Sequence, residues 1–304
     1  MTDQHKTTLS SLCLFLTAAI WGFAFVAQVQ GMDYMGSLTY GGVRFAIGTL
    51  SLLPVILLFE RRRGAPGETK QTLLYGSLAG VILFAASTLQ QYGILLTQSA
   101  GKSGFITGLY TVLTPIFSIA LGKKPGLLTG LGAVSAFAGL YFLSAPEGLG
   151  RVTLGDGLLV AGAVFWTLHI MVVDAFAPRV RPIRFSSVQF AVCAILSLLA
   201  MSLFEQPTVG ALWAGRAPLL YGALLSVGVA YTLQIVGQRH VEPSKAAIIF
   251  SLESLFAALG GFLLLREVLS WKGYLGGGLM FLGIVLSQVK VKKKHPPRPA
   301  ATPL

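Results

Sequence analysis

The sequence predicts an all-α polytopic membrane protein, ten transmembrane helices folded as two inverted five-helix repeats. Three observations predict it. Hydrophobic residues make up 54% of the 304 and charged residues 11%, with a mean hydropathy of +0.73; an ordinary globular domain carries about 25% charged residues. Ten apolar stretches of about 18–24 residues fill the chain, close to the roughly 20 apolar residues that one helical crossing of a bilayer core requires. The second five stretches repeat the first five. An odd number of helices per repeat forces the two halves into opposite orientations, an arrangement found in secondary transporters.

The expected spans are 8–30, 36–59, 71–95, 103–122, 126–144, 155–176, 183–204, 217–238, 245–265 and 271–289. The first is too long for a signal peptide and lacks a small-residue cleavage site, so it stays as a span. The second carries Arg44 in its outer third, where snorkelling to the interface explains a charge and a gate contact is the alternative. The third carries Gln90 and Gln91, amides that lipid would leave unsatisfied. Thr107, Tyr110, Thr111 and Thr114 make a polar face on the fourth, although hydroxyls can bond their own helix backbone. The fifth opens with Gly126-x-x-x-Gly130, a small face of the kind that lets helix backbones approach in lipid, as Gly76-x-x-x-Gly80 does in the third.

In the sixth span Trp166 and His169 lie three apart on one face, an aromatic surface beside a titratable ring, suited to an amino or aromatic solute. Cys193 in the seventh and Cys13 in the first read as small buried hydrophobes, without a disulfide or metal framework. Tyr231, Gln234 and Gln238 share a face of the eighth. Glu253 stands near the middle of the ninth, where a charged side chain costs roughly 2.5–3.5 kcal/mol and should face protein or water rather than lipid. It binds an amino group of a solute, carries a coupling proton, or bridges helices. The tenth opens with Gly273-x-x-x-Gly277.

The repeat is read from matched segments. AAIWGFAF around Trp21 answers AVFWTLHI around Trp166, and RFAIGTLSLL from Arg44 answers QFAVCAILSLL from Gln189. SAGKSGFITGLY answers EPSKAAIIFSLE, which pairs Lys102 with Lys245 and Tyr110 with Glu253 at an offset of 143; the same offset pairs Gln91 with Gln234. Several matches in order at nearly one spacing are not chance. The units are residues 1–146, 147–289 and a basic, Pro-rich tail 290–304. Lys102 and Lys245 begin equivalent helices on opposite sides of the membrane and read as end anchors or gates.

Net charge is +12, but its placement speaks of orientation and not of nucleic acid. With the N-terminus inside, seventeen of the 23 Lys and Arg lie in inner segments. Lys102, Arg151, Arg216, Arg266 and Lys272 lie outside, and Arg44 within a span. The positive-inside rule then puts both termini in the cytoplasm of a cell (inner or plasma) membrane protein.

Ten spans, two five-helix repeats, Trp21 and Trp166 in the first helix of each repeat, and Leu252-Glu253 in the ninth span resemble the EamA-type transporters of the drug/metabolite transporter superfamily. The resemblance covers about residues 8–289. It implies movement of small metabolites such as amino acids and related amines, often outward, through a central cavity between the repeats. Two places depart from the family pattern. Ser254 follows Glu253 where Pro is common. Lys123-Lys124-Pro125 stands where Gly-Glu often ends the fourth span, while the second repeat keeps its acid in Arg266-Glu267.

The expected function is a secondary active or facilitative exporter working by alternating access, with Gln91, Tyr110, Trp166, His169, Gln234 and Glu253 around the solute and Glu253 as the proton-coupling group. Its partners are the solute, the lipid bilayer and protons; no cofactor, metal or nucleic acid is expected, and a monomer or homodimer fits equally. An enzyme is not expected. Gly101-Lys102-Ser103 ends like a phosphate loop, but the Gly required five places earlier is Leu96. With four His and two Cys, a clustered metal site is not expected. The rivals are an intramembrane enzyme on a lipid-like substrate, which needs acids or histidines clustered at one membrane face, and a channel or scaffold using the polar stripes.

Overall fold

The computed structural model describes residues 3–59, 68–117, 126–144, 152–176, 179–238 and 243–288. Among them every regular element is helical: α1 (Asp3–Gly31), α2 (Ser37–Phe59), α3 (Glu68–Thr97), α4 (Ala100–Thr107), α5 (Tyr110–Phe117), α6 (Leu127–Ser144), α7 (Leu154–Phe176), α8 (Pro182–Phe204), α9 (Val209–Ala214), α10 (Arg216–Leu220), a π-helical run (Tyr221–Ala230), α11 (Tyr231–Gln238), α12 (Pro243–Leu265) and α13 (Trp271–Gln288). Six helical stretches are long and apolar enough to cross a membrane: Thr8–Gly31, Ser37–Leu58, Thr69–Thr97, Leu154–Val173, Ile183–Phe204 and Arg216–Gln234. The other expected spans fall on the shorter apolar helices Gly130–Phe142, Leu252–Leu265 and Trp271–Leu286 and on the broken pair α4–α5.

Large apolar side chains cover the outside, with Leu74 at 63% exposure, Val134 at 69% and Leu203 at 76%. In water so extensive an apolar surface would drive association; in a bilayer it meets lipid. Inside, Phe25, Ile94, Phe105, Leu109, Leu159 and Met280 join α1, α3, α4, α7 and α13 in one core. Phe45, Leu83, Phe190, Cys193 and Val227 join α2, α3, α8 and the π run in another.

The principal packing partners are α6 with α13, α3 with α7 and α8, α1 with α12, α2 with α8, and α4 with α12. Glycine sets the closest approach. A Cβ added at Gly139 would lie 2.5 Å from the Gly276 carbonyl, and one at Gly283 would overlap the Gly132 carbonyl. Ser135 Oγ donates to the Leu279 carbonyl at 2.8 Å across the same crossing. The expected glycine faces divide. Gly76 and Gly80 pack against Val188 and Val192, and Gly277 against Phe105, whereas Gly126 and Gly130 have no atom within 4 Å of an added Cβ.

Two irregularities depart from the continuous spans that apolar periodicity predicts. The fourth expected span breaks at Gly108–Leu109, where backbone bonds shorten to Leu109 N–Ile106 O (3.2 Å) and Thr111 N–Gly108 O (3.1 Å). Ser254 Oγ donates to the Gly104 carbonyl at 3.0 Å beside the break, as a second donor to an oxygen that keeps its helical bond from Gly108 N at 3.0 Å. The eighth expected span unwinds into the π run, a form concentrated at functional sites. Helix α1 stitches itself to this run: Thr17 Oγ1 donates to Ala230 O at 3.2 Å, Trp21 Nε1 to Ser226 O at 3.1 Å, and Tyr221 OH to Ile20 O at 3.0 Å.

Candidate functional site

Helix α5 starts at Tyr110, immediately after the break, and its hydroxyl donates to a Glu253 carboxylate oxygen on α12 at 3.2 Å. Of the expected site residues, these two are joined by a side-chain hydrogen bond. The Tyr110 carbonyl accepts from Thr114 Oγ1 (2.7 Å) and Thr167 Oγ1 (3.4 Å), so α7 reaches the same place. Thr111 and Thr114 bond their own helix backbone, at Gly108 O (2.8 Å) and Tyr110 O (2.7 Å), and Thr107 Oγ1 accepts from Gln90 Nε2 at 3.2 Å.

An aromatic ladder runs beside this pair. Ring centroids step from Phe45 to Phe190 (5.9 Å), to Tyr231 (4.8 Å), to Trp21 (4.9 Å), to Phe250 (5.9 Å). Arg44 is 4% exposed, which corrects the snorkelling expectation. Its guanidinium sits over the Tyr40 and Phe45 rings at 5.3 and 4.9 Å. A planar, weakly hydrated cation tolerates such a place because aromatic faces offset part of its lost hydration.

Trp166 and His169 meet edge to face at 5.7 Å. His169 is buried and its Nε2 lies 2.8 Å from Gln189 Oε1, so Nε2 carries the proton in that bond. The two tryptophans, which occupy matching places in the repeats, differ. The Trp21 indole N–H is taken by Ser226 O, while the Trp166 indole N–H is buried with no acceptor among the described residues.

Gln91 is buried on α3 and donates to the Gln28 carbonyl at 3.3 Å. Gln234, half-buried on α11, makes no side-chain hydrogen bond among the described residues. Lys102 pairs with Asp156 at 2.7 Å, their side chains 18% and 2% exposed. Lys245 begins α12, but its side chain lies outside the described residues, as does that of Gln238. Sequence reasoning passed over Gln28, Gln189 and Asp156. For Asp156 a signal existed: Thr153 and Asp156 form a reciprocal cap, Thr153 N to Oδ2 at 3.0 Å and Asp156 N to Thr153 Oγ1 at 3.2 Å, at the spacing a capping box uses.

Two further acids close the end of the bundle at which Lys102 and Asp156 stand. The Glu267 carboxylate accepts from Ser99 Oγ (2.7 Å), Ala100 N (2.6 Å) and Gly101 N (3.1 Å) at the start of α4. The Glu205 carboxylate accepts from Leu38 N (2.9 Å), Thr39 N (2.8 Å) and Thr39 Oγ1 (2.6 Å) at the start of α2. Each satisfies helix donors that otherwise have no intrahelical partner. A crevice of about 320 Å³ beside Glu267, lined by Gly101, Ala258, Phe262, Leu269 and Tyr274, lies at this end. Another of about 280 Å³ lies between Ile56, Thr69, Leu73 and Arg184. Neither includes Tyr110 or Glu253.

The sequence profile of the EamA-like transporter family matches residues 8–145 and again 153–288. An uncharacterized transporter of Archaeoglobus fulgidus is 30% identical over 291 residues, covering 94% of this chain and 88% of that one. The uncharacterized transporter YoaV of Bacillus subtilis is 22% identical over 88% of this chain and 92% of its own. A WAT1-related protein of Arabidopsis thaliana is 23% identical over 86% and 80%. A solved crystal structure shares the fold with a TM-score of 0.64 at 19% identity, covering 91% of this chain and 96% of that one. An all-helical bundle with an apolar exterior, buried polar groups at its centre and two profile matches that together span nearly its whole length is a multi-pass membrane protein, and the chain belongs to the EamA-like transporter family.

Proposed function

We propose that the protein is a secondary carrier that exports small polar solutes, amino acids or related amines, across the cell membrane by alternating access. In this reading ten spans form two inverted repeats, residues 1–146 and 147–289, with both termini in the cytoplasm. The observation that carries it is the Tyr110–Glu253 hydrogen bond. It joins the broken α4–α5 segment of one repeat to α12 of the other, at matching places in the two halves. Interrupted helices beside a half-buried intramembrane carboxylate are a usual setting of a carrier site.

The packing supports the two-repeat arrangement. Contacts of α3 with α7 are answered by contacts of α1 with the π run and α11, and those of α3 with α8 by α2 with the π run. At the α6–α13 crossing Gly139 meets Gly276 while Gly283 meets Gly132, and all four lie at one offset of 144.

Glu253 exchanges its proton as the cycle turns, with Tyr110 donating to the carboxylate when it is ionised. Gln91, Trp166, His169 and Gln234 face the solute, with Trp166 offering its spare N–H. Lys102–Asp156, Glu267 and Glu205 hold one end shut, and Arg44 and Lys245 complete the gates. The test is uptake of labelled amino acids, organic cations and sugars into proteoliposomes, with and without an imposed pH gradient. Saturable uptake of amino or amine solutes driven by the gradient supports the reading. Absence of saturable uptake by folded protein overturns it.

A further inference from the structure

Gln28 on α1 and Gln91 on α3 are buried side by side, 4% and 1% exposed. Each amide nitrogen is committed to a backbone carbonyl: Gln28 Nε2 to Ala24 O and Gln91 Nε2 to Gln28 O, both at 3.3 Å. Since both amide nitrogens face oxygens, the assignment of N and O in the two amides is fixed by their surroundings. What remains are the two side-chain oxygens, and neither has a donor among the described residues. A buried acceptor without a donor is rare in a native structure and calls for an explanation.

We propose that these two oxygens are a subsite for the N–H donors of the transported solute, a primary ammonium or a carboxamide. The inference rests on the carrier reading above. Uncharged oxygens that can only accept repel a carboxylate or phosphate and select a donor. An ammonium has three N–H groups and a carboxamide two, so either can donate to such oxygens. A quaternary ammonium has the same charge and no donor. A bare metal cation is a poor fit, because hard cations such as calcium draw on about six to eight oxygens.

The subsite also lies where the bundle can part. Helix α1 packs chiefly on α12, α11 and the π run, and α3 on α7 and α8; the two touch each other lightly. The bond from Gln91 Nε2 to the Gln28 carbonyl bridges that seam, so separation of the two groups would break it and open the surroundings of both glutamines. In the packed state described here they are shut away from any solute.

Purified full-length protein in detergent is titrated with 2-phenylethylamine, phenylacetamide and trimethyl(2-phenylethyl)ammonium, and apparent affinity is read from the shift in unfolding temperature. The amine and the amide bind at least about tenfold more tightly than the quaternary ion, the loss expected when hydrogen bonds to a charged or strongly polar group disappear. Gln28→Met and Gln91→Met, of similar length without the oxygen, bring the ratio to near one, while Gln91→Glu keeps the preference for the amine. Equal binding of all three probes by the wild type, binding of none, or a ratio unchanged in the Met variants overturns the subsite. The wild-type ratio decides the matter even if a variant fails to fold. Proteoliposome uptake of a solute that has no N–H donor, with no such preference, removes the subsite and leaves the carrier standing. No uptake of any solute removes the carrier itself.

Discussion

The Tyr110 hydroxyl and the Glu253 carboxylate meet at 3.2 Å although 143 residues separate them, and that separation is the offset at which the two halves of the sequence repeat. Phe45 and Phe190, another matched pair, stack at 5.9 Å. Both contacts join helices far apart in the chain. Around the first, the fold gathers the Glu253 carboxylate, the Tyr110 phenol and the break that begins α5.

Glu253→Gln keeps the size and the Tyr110 contact but cannot exchange a proton. Uptake by this variant is expected to lose its dependence on an imposed pH gradient, while exchange of labelled for unlabelled solute survives. Tyr110→Phe removes the donor and leaves the carboxylate, so gradient dependence persists at an altered pH midpoint. Flux assays in proteoliposomes over a range of internal and external pH read both outcomes. A normal gradient response in Glu253→Gln would exclude this residue from coupling.

Lys102→Met strands the Asp156 carboxylate, which is 2% exposed. Breaking a buried ion pair from one side costs about 3 kcal/mol or more, whereas removing both charges is often neutral. The single variant should melt markedly lower in detergent, and Lys102→Met with Asp156→Asn should recover most of the loss, because Asn can still accept from Thr153 N. Equal melting of the single variant and the wild type would mean that water reaches Asp156.

Glycines that look alike in sequence should behave differently. Gly139→Leu drives a side chain into the backbone of α13, where even a Cβ lies 2.5 Å from Gly276 O; overpacking of this kind costs about 1–3 kcal/mol. Gly130→Leu points away from the protein, with nothing within 4 Å, and should stay within about 0.5 kcal/mol of the wild type. Thermal unfolding of the two variants separates the faces.

Glu267→Gln weakens three hydrogen bonds at the start of α4. Loss of a helix cap costs about 1 kcal/mol, and here the cap also ties α4 to the segment after α12. A cysteine placed at Ala100 should become more reactive to a membrane-impermeant maleimide in this variant than in the wild type. Unchanged labelling would separate the cap from any gating role.

The apolar helices and the family were legible because burial in lipid writes itself into long stretches of sequence. Tyr110 and Glu253 were legible as corresponding positions at the repeat offset, but the hydrogen bond between them comes from the packing of α5 beside α12. The break at Gly108–Leu109 and the π run were not, since an apolar stretch carries no mark of either; the contacts made there, Ser254 Oγ to Gly104 O and Trp21 Nε1 to Ser226 O, come from helices distant in the chain. Arg44 misled because a charge in the outer third of a span fits two environments equally, and the Tyr40 and Phe45 faces decided between them. Gln28 stands three residues from the end of α1 and reads as an interfacial amide until Gln91 is found against it. Gln189 was visible as the repeat partner of Arg44, but its bond to His169 comes from the packing of α7 beside α8.

Alternating access is tested most directly by counterflow. Proteoliposomes are preloaded with an unlabelled amine or amino acid and diluted into a trace of the labelled compound. The account predicts that preloading accelerates uptake and produces a transient overshoot, and that Glu253→Gln retains the overshoot without a pH gradient. Uptake indifferent to preloading, rising linearly with concentration, would contradict a carrier and identify a pore.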